Sequence, residues 1–366
     1  MTSRCFAEIS LDALRHNAQL LRRHDEILAV VKANAYGHGA PAIAKGLEGI
    51  ASMFGVANLH EAQELKSSGV TVPIMLLGTC LPEEREEALQ SGFQVNVSTF
   101  EEAAAYNEIA GRLGVTAHAH AVLDTGMGRM GFTEAAWNDE AITALHNFQH
   151  IIWEGLCSHF PSADEDHAFS ADQVEKFHHL VQVGWDAGFL PGWVHMANSA
   201  GLLGYPPADF CNLSRPGLAL YGWSPLPEKQ ALLKPVLAWK TRVLLVRELP
   251  EGHGVSYGRT EILKRPTKVA TLACGYADGY PRQVSGKGAE VLIQGQRCPL
   301  LGRVTMDLIM VDVTDLMEPA QPGDEVVLLG TQGDQTISVM ELAKMADTIA
   351  WHIFTGLSSR VERVVV

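Results

Sequence analysis

Over the first two-thirds of this chain, short apolar runs alternate with amphipathic stretches, and that alternation limits the fold more than any other feature. The runs are ILAVVK (27–32), MFGVAN (53–58), VPIMLLG (72–78), FQVNVS (93–98), AHAHAVLD (117–124), IIWEGLCSH (151–159), WVHMANS (193–199) and LSRPGLALYG (213–222). Between them lie helix-like segments such as PAIAKGLEGI, LHEAQELKSSG, TFEEAAAYNEIAGRLG and ADQVEKFHHLVQVGWDAG, several ending in a glycine suited to a helix C-cap. Continuous apolar strands joined by helices predict a parallel sheet covered by helices, and eight such units is the number that closes a barrel. A doubly wound open sheet is the alternative; no G-x-G-x-x-G follows the first strand, which favours the barrel. After about residue 230 the texture changes to strand-like segments separated by glycine, proline and aspartate, with little helix before SVMELAKMADTIAWHIFTG. The chain therefore reads as α/β: an eight-stranded (β/α) barrel in residues 1–230, followed by a mainly β C-terminal domain in residues 231–366. Its 366 residues, 47% of them hydrophobic, suffice for both cores.

Several function classes are disfavoured. No run is long and apolar enough for a membrane span, and MTSRCFAEIS lacks the basic head and apolar stretch of a secretory signal. A net charge of −14 without a basic cluster argues against nucleic acid and anionic membranes. Six scattered cysteines show neither zinc-site nor disulfide spacing, and read as small buried hydrophobes of a reducing, cytoplasmic compartment.

Functional groups of such a barrel sit just after the strand C-termini. Polar residues fall at those points: Lys32 after the first run, Arg129 after the fifth, His159 at the end of the sixth, Asn198 and Ser199 after the seventh, Arg215 and Gly217 in the eighth. Each alone has an ordinary reading as a solvated lysine, a satisfied histidine or an ion-paired arginine. Their shared rim is what points to a site. Few acids line it, so metal-assisted hydrolysis is poorly supported and no metal is expected. A lysine at an apolar strand end suits Schiff-base chemistry. Small residues after strands seven and eight would let backbone N–H groups approach a phosphate. These features leave pyridoxal phosphate and phosphosugar aldolase chemistry both open.

At AVVKANAYGHG the chain resembles the alanine racemase family, and the resemblance continues through FAEISLDALRHN, DTGMGRMGF, SHF, HMANSAG, SRPGLALYG, GVSYGRT, CGYADGYPR and GRVTMD. It implies pyridoxal 5'-phosphate as cofactor, a homodimer with active sites built from both subunits, and interconversion of L- and D-alanine, with D-alanine supplied for peptidoglycan. It implies that Lys32 holds the cofactor and is one catalytic base, and that Tyr257 of the partner subunit is the opposite base. By the same resemblance, Tyr36, Ser199 and the backbones of Gly217 and Leu218 bind the phosphate. His159 packs on the cofactor ring, Arg215 faces its nitrogen, and Arg129 and the backbone of Met306 hold the substrate carboxylate. His195 and Asp307 stand behind these groups. Two bases on opposite faces of Cα suit racemisation, and a tyrosine, with an ordinary pKa of about 10, needs positive charge or donors nearby to act as one.

The chain departs from the family pattern twice. A lysine modified to a carbamate often stands seven residues before the arginine of MGR; here that position is Val122. The tyrosine of TISY is here Trp351, in TIAW. Both departures keep a serine or broad-specificity racemase open as an alternative. A D-amino-acid aldolase would not need VSYG and GRVTMD, and a non-catalytic cofactor-binding relative would lack the second domain.

Overall fold

The structure is a computed structural model and describes residues 3–22, 25–206 and 208–366. The chain divides into two compact units. One comprises Asp12–Ala35 and Ala40–Lys234; the other comprises the chain up to Leu11, Tyr36–Gly39 and Pro235–Val366. The sequence reading assigned residues 1–230 to the barrel. The first strand, β1 (Cys5–Ile9), instead lies in the second unit.

All eight apolar runs are strands of the first unit: β2 (Glu26–Val30), β3 (Met53–Val56), β4 (Ile74–Leu76), β5 (Gln94–Val97), β6 (Ala117–Val122), β7 (Ile151–Cys157), β8 (Trp193–His195) and β9 (Leu213–Ser214). They form one parallel sheet in the order β8-β7-β6-β5-β4-β3-β2-β9. Backbone hydrogen bonds from Asn212 to the Val194 carbonyl (3.0 Å) and from Arg215 to the Ala197 carbonyl (2.8 Å) join its two ends. The sheet is thus a near-closed barrel rather than an open doubly wound sheet. β3, β4 and β5 are buried along their whole length, as strands covered on both faces must be.

Polar caps open the helices that follow the strands. Asn58, Thr99, Asn138, Asp166 and Asn198 each accept a backbone N–H of the first helical turn. The helix Phe100–Leu113 ends at Gly114, whose φ of +66° is the left-handed cap its sequence predicts.

In the second unit, β10 (Leu237–Leu249) is the organising strand. Its first half pairs with β1; a register shift between Val243 and Leu245 precedes its long pairing with a later strand. That unit continues with the small ribbon β11 (Gly254–Val255) and β12 (Glu261–Ile262), then β13 (Thr267–Leu272), β14 (Glu290–Ile293), β15 (Gln296–Pro299), β16 (Ile309–Asp312), β17 (Glu325–Gln332), β18 (Gln335–Ile337) and β19 (Glu362–Val365). β1 lies between β10 and β19, antiparallel to the first and parallel to the second. Trp239 of β10 is fully buried and donates its indole N–H to the Cys5 sulfur at 3.4 Å. Among the described residues no helix is long and apolar enough to cross a membrane.

Candidate active site

Lys32 leaves β2 into an unusual turn. Residues 33–36 all have φ between +50° and +54°, a left-handed helical turn built without glycine. Each such residue costs about 1–2 kcal/mol, so neighbours must hold the turn. The Glu61 carboxylate accepts the Ala33 N–H at 2.7 Å and, with its other oxygen, the Ala57 N–H at 2.7 Å. Asn34 Oδ1 accepts the Ala40 N–H at 2.8 Å, and the Ala35 N–H donates to the Val31 carbonyl at 2.8 Å. Gly37 ends the turn at φ +77°, where a Cβ would lie 2.1 Å from the Phe354 carbonyl oxygen.

Burial, and next to it the charge of Arg129, push the Lys32 ammonium below its ordinary pKa, while Glu61 opposes them. The neutral amine that a lysine needs as a nucleophile or base is thereby favoured. Arg129, Lys32 and Arg215 all act on His159, which burial drives down to about 3. The barrel therefore brings Lys32, Arg129, His159 and Arg215 within electrostatic reach of one another at one rim. Arg129 is exposed and has no hydrogen-bond or salt-bridge partner among the described residues. Val122, seven residues before it, is buried and aliphatic, so it offers Arg129 no polar group.

Arg215 is buried, and its guanidinium donates to the carbonyls of His195 (3.0 Å) and Met196 (3.3 Å), to that of Ser158, and to Nδ1 of both His195 and His159, the latter at 3.0 Å. Burial lowers its pKa, yet a guanidinium keeps its protons in a protein. All these bonds use the two terminal nitrogens; among the described residues Nε has no acceptor. That N–H suits an unprotonated ring nitrogen, and the residues in this respect fit a pyridine cofactor.

Ser199 opens the short helix Ser199–Gly204, and its Oγ accepts the N–H groups of Gly217 (3.0 Å) and Ala219 (3.1 Å). The structure thus joins the two loops expected to bind phosphate. It also shows the Gly217 N–H engaged by Ser199. Tyr36 is buried, and burial raises its hydroxyl to about 12, which keeps it a neutral donor.

The remaining expected residues lie in the second unit. Tyr257 is 67% exposed and follows Ser256, a non-glycine at φ +62°, whose Oγ donates to the Arg303 carbonyl at 2.6 Å. Met306 is 52% exposed, and its carbonyl accepts the Ala277 N–H at 3.0 Å. Asp307 accepts from Arg360 at 2.8 Å. Trp351 lies, half-buried, on the helix Ala350–Thr355, and its carbonyl accepts the Thr355 hydroxyl at 2.8 Å.

Comparison with known proteins supplies the deciding observation. Residues 9–225 match the family model "Alanine racemase, N-terminal domain" and residues 236–365 match "Alanine racemase, C-terminal domain". The chain belongs to the alanine racemase family. It is 42% identical to the alanine racemase of Carboxydothermus hydrogenoformans over 372 residues, covering 99% of each chain. It is 40% identical to that of Methylacidiphilum infernorum over 369 residues, covering 98% of this chain and 92% of the relative. Among solved structures it resembles the alanine racemase of Clostridium difficile (TM-score 0.92, 33% identity, 100% of this chain and 96% of that one). The enzyme from Bacillus anthracis with bound L-Ala-P gives a TM-score of 0.91 at 34% identity, with 100% and 96% coverage. That from Bartonella henselae, with covalently bound pyridoxal phosphate, gives 0.89 at 30% identity, with 100% of both chains covered. The protein is accordingly an isomerase, and its family relatives support racemisation of alanine.

Four residues of the site and its surroundings were not singled out by the sequence reading. Glu61 and Asn34 hold the left-handed turn, and Gln94 and His120 stand behind His195. Glu61 reads in sequence as an ordinary helix cap three residues after Asn58. Nothing in ANAY announces a left-handed turn.

Proposed function

We propose that the protein interconverts L- and D-alanine with pyridoxal 5'-phosphate held on Lys32, and so supplies D-alanine for peptidoglycan in the cytoplasm. The depressed ammonium of Lys32, set beside Arg129, His159 and Arg215 on one barrel rim, carries the proposal. When bound, the cofactor supplies an electron sink that makes the Cα proton of an amino acid removable. Lys32 would hold the cofactor through its amine and, once freed when the substrate's amino group takes its place, would take or return a proton on one face of Cα. Tyr257 of the partner subunit does so on the other face. Ser199, Tyr36 and the loop of Gly217 and Leu218 hold the phosphate; His159 packs against the ring. Arg215 would offer an N–H to the ring nitrogen and, because a guanidinium keeps its protons, would leave that nitrogen unprotonated. This weakens the electron sink and favours return of the proton over side reactions. Arg129 and the Met306 backbone take the substrate carboxylate. A homodimer with shared sites is supported by the exposure of Tyr257 and Met306 in the single chain.

A second reading, a serine or broad-specificity racemase, is favoured by Val122, which leaves Arg129 unanchored, and by Trp351. A racemisation screen over alanine, serine, lysine and arginine tests both. The proposal expects alanine to be turned over with the highest kcat/KM. Equal or faster turnover of serine favours the second reading, and no turnover of any of them defeats both.

A further inference from the structure

Behind Arg215 the barrel interior contains a chain of polar side chains that the proposed chemistry does not use. His195 Nε2 lies 2.9 Å from His120 Nδ1, and His120 Nε2 lies 2.8 Å from Gln94 Oε1. Both imidazoles are completely buried, and Gln94 is nearly so. They come from strands β5, β6 and β8, so the chain crosses the barrel interior over β7. It can do so because the residue of β7 that pairs with His120 is Gly155: a Cβ there would lie 2.1 Å from His120 Nδ1.

The order of donors and acceptors along this chain admits one solution. An arginine only donates, so the His195 Nδ1 that faces Arg215 must accept. The His195 proton therefore sits on Nε2 and is given to His120 Nδ1. That nitrogen must accept in turn, which places the His120 proton on Nε2. Gln94 then receives it on its carbonyl oxygen. Turning the Gln94 amide round would reverse every bond and leave an N–H of His195 facing the N–H of Arg215. A buried donor pair of that kind costs the full desolvation of both groups. Burial, assisted by the charge of Arg215, holds both rings neutral.

Resting on the reading that Arg215 faces the cofactor ring nitrogen, we infer that His120 and Gln94 are positioning residues for Arg215. His120 accepts the His195 Nε2 proton and Gln94 that of His120 in turn; together they hold the His195 imidazole in place, and so fix the direction of the Arg215 N–H groups. Neither His120 nor Gln94 touches the reacting atoms. Loss of the His120 acceptor leaves the buried His195 Nε2–H without a partner and loosens the imidazole and the guanidinium that the ring nitrogen depends on.

Nitrogen NMR of the holoenzyme with labelled histidine tests this order of protons without recourse to turnover. The expected result at neutral pH is that His120 and His195 are both neutral with the proton on Nε2. A proton on Nδ1 of His195, or a charged ring, overturns the inference. Because this reading does not require catalysis, it is separable from failure of the proposed racemase activity. A pair of variants tests the consequence. His120→Asn keeps an acceptor oxygen near the position of Nδ1, and His120→Leu removes it. Both should melt within a few degrees of each other. His120→Leu should lower kcat for alanine about tenfold with KM little changed, as removal of a supporting hydrogen bond does elsewhere, and His120→Asn should recover most of that loss. Equal loss in both variants overturns the positioning role and leaves only packing.

Discussion

At the scale of single residues, burial and positive charge act together at the rim and in the barrel interior behind it. His120 and His159 are both pushed down to about 3 and His195 well below its ordinary value, by burial first and Arg215 second. The unfolded chain takes up protons at about pH 6.5, whereas the folded rings refuse them until far lower. Stability from this source is therefore complete above about pH 6.5 and is lost as pH falls below it, by up to about 1.4 kcal/mol per pH unit for each histidine. Ordinary carboxylates titrate below that window, so urea midpoints between neutral pH and about pH 5 isolate the histidines. The midpoint should fall steeply over that range, and less steeply in His120→Asn; a flat profile would contradict the burial of these rings as neutral groups. The positions of Lys32, Arg129, His159, Ser199 and Arg215 could be picked out because each falls within a few residues of the end of a barrel strand. Gln94 and His120 were not, since a polar residue inside an apolar strand gives no sign of which neighbour satisfies it.

At the scale of elements, the left-handed turn after Lys32 stores strain that a few hydrogen bonds offset. Glu61 bears the most, accepting one backbone N–H from the turn and one from the end of β3's loop, at Ala33 and Ala57. Glu61→Ala removes both acceptors and should destabilise the protein by about 1–3 kcal/mol, measured by urea unfolding. It should also weaken binding of pyridoxal phosphate, because the turn that fixes Lys32 relaxes. Unchanged stability and unchanged cofactor affinity would show that the turn is held by other contacts. The eight barrel strands were plain in the sequence because parallel strands buried on both faces leave uninterrupted apolar runs. β1, in FAEIS, was not among the runs read as strands, and nothing local names its partners. Alternation states which face is buried, and β10 and β19, its neighbours, lie more than two hundred residues away in sequence. The turn was invisible because Ala-Asn-Ala-Tyr has no glycine to mark a positive φ.

At the scale of the whole molecule, the proposed racemisation needs Lys32 of one subunit and Tyr257 of its partner at the same site. Lys32→Ala leaves Tyr257 intact, and Tyr257→Phe leaves Lys32 intact; each protein alone should be close to inactive on alanine. The most direct measurement is therefore to mix the two inactive proteins in equal amounts, verify subunit exchange by mass spectrometry of the intact dimers, and assay racemisation of L-alanine. Random exchange puts half of the dimers in mixed form, each with one complete site, so activity should return to about a quarter of the wild-type value. Mixed dimers that form and stay inactive would contradict the pairing of Lys32 with the partner subunit's Tyr257.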